Sequence, residues 1–556
     1  MDRTSARIGV GIVSLLLAAC SPETAETTDA TDSGTSTDPS EGGSESDATT
    51  GEPFEPIPAR DVTIVRVEAN PGVAVPIGLD GGAVPGAQRN AYIPANRDML
   101  IRVFLDVADD WTPREIEARL TLVYSDGSEV EKRDVFMIEA DTFAGGLSTG
   151  PYFGLVAEEV KPGLRYRLSL WEAGPGQEGT PEPDPAPRLP LDPDDEVIVG
   201  VEDSYQKLRV VLVPVNYSNG GCTANVDPEY WKQRMEDALI QQNPADEVEI
   251  IIHEPHTVTY SMTSFSGLNN LVNETAQIRA ADNPDPWIYY YALFDSCGGC
   301  IGSGGGGPGG GGCTVGLAAG ITGDAKGNAN LRVSAGQLLS TERATLDTFV
   351  HEVGHTQGRR HIYCPNGGAA GTDGSYPYDN GIINVWGFGI RDFKLRHPTS
   401  TVDYMSYCGP TWCSDWQWNA TYQRINKLSS WELEDAPVEP GDGIVIGVLE
   451  PDGNSEWWTA PGSFDDFVDP RSANHSVRFT LPGGQVIEQS AVVSERPHYP
   501  AINIIAPLPA GLDSAALEQA AISHLHDGGE TAVEIDRRSM LHDPKIRAEL
   551  RGSSGS

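Results

Sequence analysis

Eleven residues in the second half of the chain have the spacing of a metal-dependent hydrolytic site. They run from His351 to His361 and read His-Glu-Val-Gly-His-Thr-Gln-Gly-Arg-Arg-His. His351 and His355 are four residues apart, so on a helix they lie on one face and can bind one metal ion. Glu352 is turned by about 100°, which suits a base that takes a proton from water at the metal. Gly358 can end the helix in a left-handed conformation, so that His361 completes a three-imidazole zinc site.

The alternative is a buried helix whose histidines bind nothing. The apolar residues of the segment fall at i, i+3, i+4 and i+7 and form one stripe, made of Leu346, Phe349, Val350 and Val353. His351 and His355 project from roughly the opposite side of the helix, outside that stripe. This arrangement favours the metal site.

A second motif follows some forty residues later. Residues 403–408 read Asp-Tyr-Met-Ser-Tyr-Cys. With the histidine motif, this segment resembles the metzincin clan of zinc metallopeptidases, in which a methionine-containing turn lies beneath the metal. Met405 matches the methionine, and Tyr407 matches a tyrosine near zinc in astacin-like, serralysin-like and pappalysin-like members. The resemblance covers roughly residues 207–435, but Ile362, after the third histidine, leaves the subfamily open.

The resemblance implies a zinc endopeptidase with one catalytic Zn²⁺ held by the three histidines. Glu352 would be the general base, and the Tyr407 hydroxyl would stabilise the oxyanion. In this clan a Gly-x-Ala strand forms the upper rim of the cleft and pairs with extended substrate. Residues 315–320, with Gly316, Leu317 and Ala318, match that strand and would bind substrate by main-chain hydrogen bonds. An interior strand with no ligand is the alternative for this segment.

Three other functions fit parts of the sequence. The motif dictates metal chemistry and not the acyl group, so a zinc amidase or esterase would carry it equally well. A surface adhesin or mucin-directed glycoprotein-binding protein would depend mainly on the flanking β domains. A zinc-holding structural relic would need neither Glu352 nor Tyr407, and both are present.

The N-terminus predicts export. Two arginines precede an apolar run, residues 8–19, that is too short to span a membrane as a mature helix. The run ends in Leu-Ala-Ala-Cys and resembles a bacterial lipoprotein signal, residues 1–20, with Cys20 as the lipidated residue; a plain secretory signal is the alternative. Ser21 favours sorting to the outer membrane or cell surface. Residues 21–59 are acidic and rich in Ser and Thr, typical of a disordered tether.

The chain is strongly acidic. Its formal net charge is −42 and its isoelectric point is about 4.4. Such a surface disfavours nucleic acid and anionic membrane faces as partners. It suits a salty medium or bound Ca²⁺, or it is simply a solvated face; the sequence has no complete EF-hand loop. The expected partners are a protein or glycoprotein substrate and, through Cys20, a membrane lipid anchor.

Seven cysteines follow Cys20, so one thiol stays unpaired if the others form disulfides in an oxidising compartment. Cys364 lies three residues after the last histidine, and Cys408 three after Met405. Because both segments should converge under the metal, we predict a Cys364–Cys408 bridge, with Cys413 as the competing partner. Cysteines 297, 300 and 313 could instead belong to a structural zinc site.

The elements indicate a multidomain chain. Short alternating strands at residues 60–204 predict a β-sandwich. Strands alternating with helices at 205–436 predict an α/β (α+β) catalytic domain with a mixed sheet and an active-site helix. Residues 437–556 predict a small β-rich terminal domain. The histidines outside the motif are assigned no function.

Overall fold

The structure is a computed structural model. It describes residues 54–298, 301, 314–365, 367–434, 443–464, 475–512, 514–517, 519–526 and 529–535. These residues all belong to one compact unit. The predicted lipoprotein signal with Cys20, most of the predicted tether, Cys300 and Cys313 lie outside the described residues.

Two antiparallel sheets come first. One has the order β3-β2-β1-β4-β7, and the other has the order β10-β8-β5-β6 with β9 on β8. In β5 every second side chain is buried, as a strand with one face on the core requires. The strands are β1 (Val62–Asn70), β2 (Val75–Leu79), β3 (Gly82–Ala83), β4 (Met99–Val107), β5 (Arg114–Val123), β6 (Glu129–Ile138), β7 (Tyr152–Leu155), β8 (Arg165–Glu172), β9 (Arg188–Leu189) and β10 (Val197–Ile198).

A mixed sheet follows, as the sequence predicts. Its order is β12-β11-β15-β17-β16, with β13 and β14 on β11; β13, β11, β15 and β17 are parallel, and the edge strand β16 is antiparallel. Its strands are β11 (Lys207–Asn219), β12 (Cys222–Asn225), β13 (Glu247–Ile252), β14 (His256–Val258), β15 (Tyr289–Phe294), β16 (Gly316–Ala318) and β17 (Val333–Gln337). Two short pairs lie after it: β18 (Gly387–Gly389) with β19 (Lys394–Arg396), and β20 (Val402–Asp403) with β21 (Thr411–Trp412).

Four helices accompany these strands: α1 (Pro228–Gln242), α2 (Phe265–Asp282), α3 (Glu342–Thr356) and α4 (Asp415–Ser430). Each begins after a side chain that accepts a hydrogen bond from a first-turn amide; these residues are Asp227, Ser264, Thr341 and Ser414. Such caps fix where each helix starts, and the cap of α3 sets the register of the histidine motif.

A third group of strands forms a sheet of the order β25-β24-β28-β29-β23-β22-β27-β26. They are β22 (Ile444–Leu449), β23 (Asn454–Ala460), β24 (His475–Thr480), β25 (Val486–Ser490), β26 (Val492–Arg496), β27 (Tyr499–Pro507), β28 (Ala521–His526) and β29 (Gly529–Ile535), with a short helix α5 (Ser514–Leu517). The hairpin of β26 and β27 turns at Pro497 and His498.

The cores connect these parts. One hydrophobic cluster joins both N-terminal sheets to α1, α3 and α4, and a second joins α2 and the mixed sheet to β22 and β27. The described chain is therefore built mainly of strands in several separate sheets, with helices between them. No helix among the described residues is long and apolar enough to cross a membrane.

Candidate metal centre

The end of α3 positions the histidine motif. Gly358 has φ +85°, the left-handed conformation expected of it. Its amide donates to His355 O at 2.9 Å, and the amide of Arg359 donates to Gly354 O at 2.9 Å. These two bonds are those of a Schellman motif, which closes a helix and reverses the chain. His361 is thereby brought back towards His355 on the last turn.

Four histidines meet beyond this reversal. His351, His355 and His361 are joined by His498, and the ligating nitrogens of the group all lie within 4.8 Å of one another. Nε2 of His355 is 3.1 Å from Nε2 of His361 and 3.0 Å from Nε2 of His498. Nε2 of His361 is 3.3 Å from that of His498. This buried group can hold a metal ion.

The second ring nitrogen of each motif histidine is held by the backbone. Nδ1–H of His351 donates to Tyr404 O at 2.8 Å, that of His355 to Arg359 O at 2.7 Å, and that of His361 to Ala370 O at 2.7 Å. A carbonyl only accepts, so each Nδ1 carries the proton and each Nε2 keeps its lone pair. Metal-ligating histidines are oriented in this way.

The residues fit a cation. Two nitrogens bound to one tetrahedral zinc at about 2.0–2.1 Å lie about 3.3 Å apart. The three spacings among His355, His361 and His498 are close to this value, and Nε2 of His351 lies within 4.8 Å of the others. A cation between the facing lone pairs would remove their repulsion. Nε2 of His351 and Oε2 of Glu352 are also buried without a hydrogen-bond partner, which is costly unless a ligand satisfies them.

Burial keeps the imidazoles neutral, the form that binds metals. It lowers the pKa of His351 to about 3 and the pKa of His355 and His498 well below the ordinary value, and neighbouring imidazoles lower all three further. Burial also lowers the pKa of His361. Glu352 is 2% exposed, and burial raises the pKa of its carboxyl well above the usual range.

The methionine turn lies against the same helix. Met405 is fully buried, and a Cβ added at Gly354 would come within 2.5 Å of its Sδ, so only glycine allows this approach. The amide of Ile362 donates to Met405 O at 2.9 Å. Asp403 accepts from the amide of Met405 at 3.0 Å and from the Ser414 hydroxyl at 2.6 Å. The turn thus supports His351 through Tyr404 O and braces the segment after His361.

Tyr407 lies at the edge of the four-histidine group. Its ring centroid is 4.8 Å from that of His361 and 5.8 Å from that of His351. Its hydroxyl hydrogen-bonds to Nδ1 of His498. Tyr407 is 45% exposed, and the partial burial of its phenol raises the pKa; the Glu352 carboxylate raises the pKa further, so the hydroxyl keeps its proton.

The edge strand β16 passes beside the base. Gly316, Leu317 and Ala318 are all buried. A Cβ at Gly316 would lie 2.5 Å from Oε1 of Glu352, so the backbone approaches this carboxylate closely. The strand is thus next to the candidate base, and its binding of substrate stays a prediction.

Two disulfides are present among the described cysteines. The predicted Cys364–Cys408 bridge is one, with an S–S distance of 2.06 Å, and Cys413 is a buried free thiol. The other joins Cys222 to Cys297. Cys297 is therefore not free to ligate zinc, so a structural site that includes it is wrong.

The sequence assigns no function to the histidines outside the motif, but the structure places one of them, His498, in the group that can hold a metal ion. His498 is 137 residues beyond His361 and shares its pocket. The segment that carries it, Arg-Pro-His-Tyr-Pro, matches no metal motif. One signal was available: a two-residue turn between alternating strands normally has Gly or Asn where His498 stands.

Comparisons with known proteins are sparse. No protein-family model matches the chain. Over 92 residues the chain is 34% identical to Dictomallein-5 of Dictyostelium discoideum, a match that spans 16% of this chain and only 12% of that protein. Among solved structures, a Bacteroides fragilis protein described as a beta-galactosidase has 10% sequence identity and a TM-score of 0.11, with 85% of this chain and 73% of that chain covered. A TM-score this low assigns no fold.

Proposed function

We propose that the chain is a zinc-dependent endopeptidase of metzincin arrangement that hydrolyses extracellular proteins or glycoproteins. The observation that carries this proposal is the convergence of the three motif imidazoles, each with Nδ1–H on a carbonyl, beside a buried Glu352. The methionine turn under α3 and the edge strand β16 beside Glu352 support it. The resemblance at Cys20 supports export as a lipoprotein anchored at the outer membrane or cell surface.

His351, His355 and His361 would hold the zinc, which would act there as a Lewis acid and lower the pKa of a water molecule towards 7. The Glu352 carboxylate takes a proton from water and passes it to the leaving amine; burial raises the pKa of this carboxyl, which favours its holding the proton between the two transfers. The Tyr407 hydroxyl keeps its proton and donates a hydrogen bond to the developing oxyanion.

The test is hydrolysis of a peptide library by the purified exported chain, with and without chelator. Native protein and a His498→Asn variant, which lacks the fourth histidine of the group, are both assayed. Glu352→Gln is then introduced into each of these two proteins. We expect Glu352→Gln to lower turnover by about 10⁴-fold, the upper end of what a general base contributes, while zinc content stays at one per chain. The control is Glu342→Gln, on the same helix but outside the pocket, where the carboxylate contacts Tyr230 and Arg234.

Peptide hydrolysis that survives Glu352→Gln would refute the assignment of the base. Absence of peptide hydrolysis by both the native chain and His498→Asn, with zinc bound, would reject the peptidase proposal. Amide and ester substrates tested in parallel separate a peptidase from a zinc amidase or esterase.

A further inference from the structure

The turn between β26 and β27 is built in a strained form. It consists of Pro497 and His498, and His498 has φ +68°. Proline suits the first position of a turn whose second residue has positive φ, but Gly or Asn normally takes that second position. An imidazole in this backbone conformation is unusual, and strain of this kind concentrates at functional sites. The side chain of His498 is only 8% exposed because it enters the histidine pocket.

The ring occupies the position of a fourth ligand. Its Nε2 lies 3.0 Å from Nε2 of His355 and 3.3 Å from Nε2 of His361, the spacing of neighbouring nitrogens around a tetrahedral ion. Its Nδ1 contacts the Tyr407 hydroxyl. A hydroxyl oxygen can accept from Nδ1–H, and the lone pair of His498 Nε2 is then free for the metal, as in the other three rings.

The hairpin that carries His498 is braced against the mixed-sheet part of the molecule. Arg496 is buried, and its guanidinium donates to Asn269 Oδ1 of α2 at 2.6 Å and to Asn503 Oδ1 at 3.0 Å. The Asn503 amide donates in turn to Ala319 O, just after β16, at 2.8 Å. Tyr499 stacks on Phe265 at the start of α2, with ring centroids 5.9 Å apart. The tip is therefore held at the site by contacts on both sides of the turn.

We propose that His498 is a fourth metal ligand, supplied by the C-terminal sheet, and that it closes the hydrolytic site in this form of the chain. The inference rests on the proposed function. Zinc sites with four protein ligands are closed, whereas catalytic sites keep one position for water. Nε2 of His498 is 3.6 Å from Oε1 of Glu352, so the ring fills the space beside the base that a reacting water needs. Hydrolysis requires the His498 imidazole to leave the site, and the C-terminal sheet that supplies it acts as a built-in inhibitor.

The test compares zinc-loaded full-length native protein, His498→Asn and His397→Ala. Asn tolerates positive φ, so the turn is retained while the imidazole is removed. His397 is an exposed histidine that contacts Thr399 and Trp386, and it serves as the control. X-ray absorption at the zinc edge counts imidazole ligands, a chelator competition gives zinc affinity, and a fluorogenic peptide gives activity.

We expect four imidazoles in native protein and in His397→Ala, and three imidazoles with one oxygen in His498→Asn. Zinc affinity should fall about 10–100-fold or more in His498→Asn, while peptide hydrolysis rises at least about tenfold. Three imidazoles and one oxygen in native protein would contradict the proposal that His498 is a metal ligand. Lower peptidase activity in His498→Asn than in native protein would contradict the proposal that His498 closes the site. If the number of imidazole ligands falls to three in His498→Asn but no protein hydrolyses the peptide, His498 is a metal ligand and the peptidase proposal is wrong.

Discussion

At the scale of single residues, the motif histidines owe their ligand geometry to the backbone. Three carbonyls, those of Tyr404, Arg359 and Ala370, each accept an Nδ1–H, and they come from three different parts of the chain. Their positions depend on the methionine turn, the helix end and the loop after His361. The motif predicts that the three histidines are the candidate ligands. It does not predict which groups accept a hydrogen bond from their Nδ1–H, because every residue has a backbone carbonyl and the sequence does not mark the ones that are used.

In the proposed mechanism Tyr407 has two roles that act against each other in the native chain. Its hydroxyl would stabilise the oxyanion, and it also hydrogen-bonds to Nδ1 of His498. Tyr407→Phe therefore reports on the oxyanion only in a variant that lacks the His498 imidazole. In a His498→Asn background it should lower kcat about 10²–10³-fold, the cost of one oxyanion donor, and leave KM nearly unchanged.

This loss should be smaller than that caused by Glu352→Gln in the same background, because zinc still stabilises the oxyanion. Steady-state kinetics on one peptide measures both. A control is Tyr363→Phe, at an exposed tyrosine near the end of the motif, which should leave kcat unaltered. A loss from Tyr407→Phe equal to that from Glu352→Gln would show that the hydroxyl takes part in proton transfer.

At the scale of elements, the end of α3 is the part that the sequence predicts best. The helix, its Gly358 terminus and the apolar stripe all follow from local rules of periodicity and capping, and all are found. Ser414 and Gln417 have the spacing of a capping box at the start of α4, but only half of the box forms: the Ser414 hydroxyl accepts from the Gln417 amide, and the Gln417 side chain has no hydrogen-bond partner. The Ser414 hydroxyl instead also donates to Asp403, a tertiary contact that no local pattern reveals.

Gly358→Ala should separate the end of the helix from the metal site. Left-handed alanine costs about 1–2 kcal/mol, and the new Cβ would lie 2.9 Å from Thr322 O. Backbone must then move, and His361 moves with it. We expect a lower free energy of unfolding by about 2 kcal/mol or more and weaker zinc binding, measured by urea denaturation and chelator competition.

Gly127→Ala is the matched control. Gly127 has φ +83°, nearly that of Gly358, and a Cβ there meets nothing within 4 Å. It lies in the turn between β5 and β6, so the same conformational strain should lower stability by about 1 kcal/mol and leave zinc affinity intact. Equal zinc affinities in the two variants would mean that Gly358 does not position His361.

At the scale of the whole molecule, the metal pocket depends on parts of the chain that are distant in sequence. Helix α3, which carries His351 and His355, belongs to the hydrophobic cluster that includes both N-terminal sheets. His361 follows the end of this helix, and the fourth histidine comes from the C-terminal sheet. Composition and alternation are enough to predict the β-rich flanks. The packing of these parts against one another depends on particular buried polar contacts, which follow no sequence period. The sequence therefore does not predict that His498 reaches the pocket, and its unusual place in the Pro-His turn is the one signal that it offers.

One of these docking contacts gives a prediction about cooperativity. Arg97, between the N-terminal strands, is 1% exposed, and its guanidinium donates to Pro71 O and Ala245 O at 2.7 Å each and to Ile240 O at the end of α1. Burial lowers its pKa to about 9, so it stays charged at neutral pH. Arg97→Met leaves these carbonyls unpaired and should cost about 3 kcal/mol or more.

Because Arg97 joins the N-terminal sheets to the part that contains the four-histidine group, the loss of stability should affect both parts. We expect hydrogen exchange in β4, β5 and β8 and the release of zinc to shift to the same lower urea concentration in Arg97→Met. Arg167→Met is the control: its half-exposed guanidinium pairs with Glu129 and Glu196 on the surface of the second sheet, so it should change stability by no more than about 1 kcal/mol. If the strands of Arg97→Met exchange at a urea concentration where zinc is still held, the N-terminal sheets unfold on their own and the shared core does not couple them to the metal site.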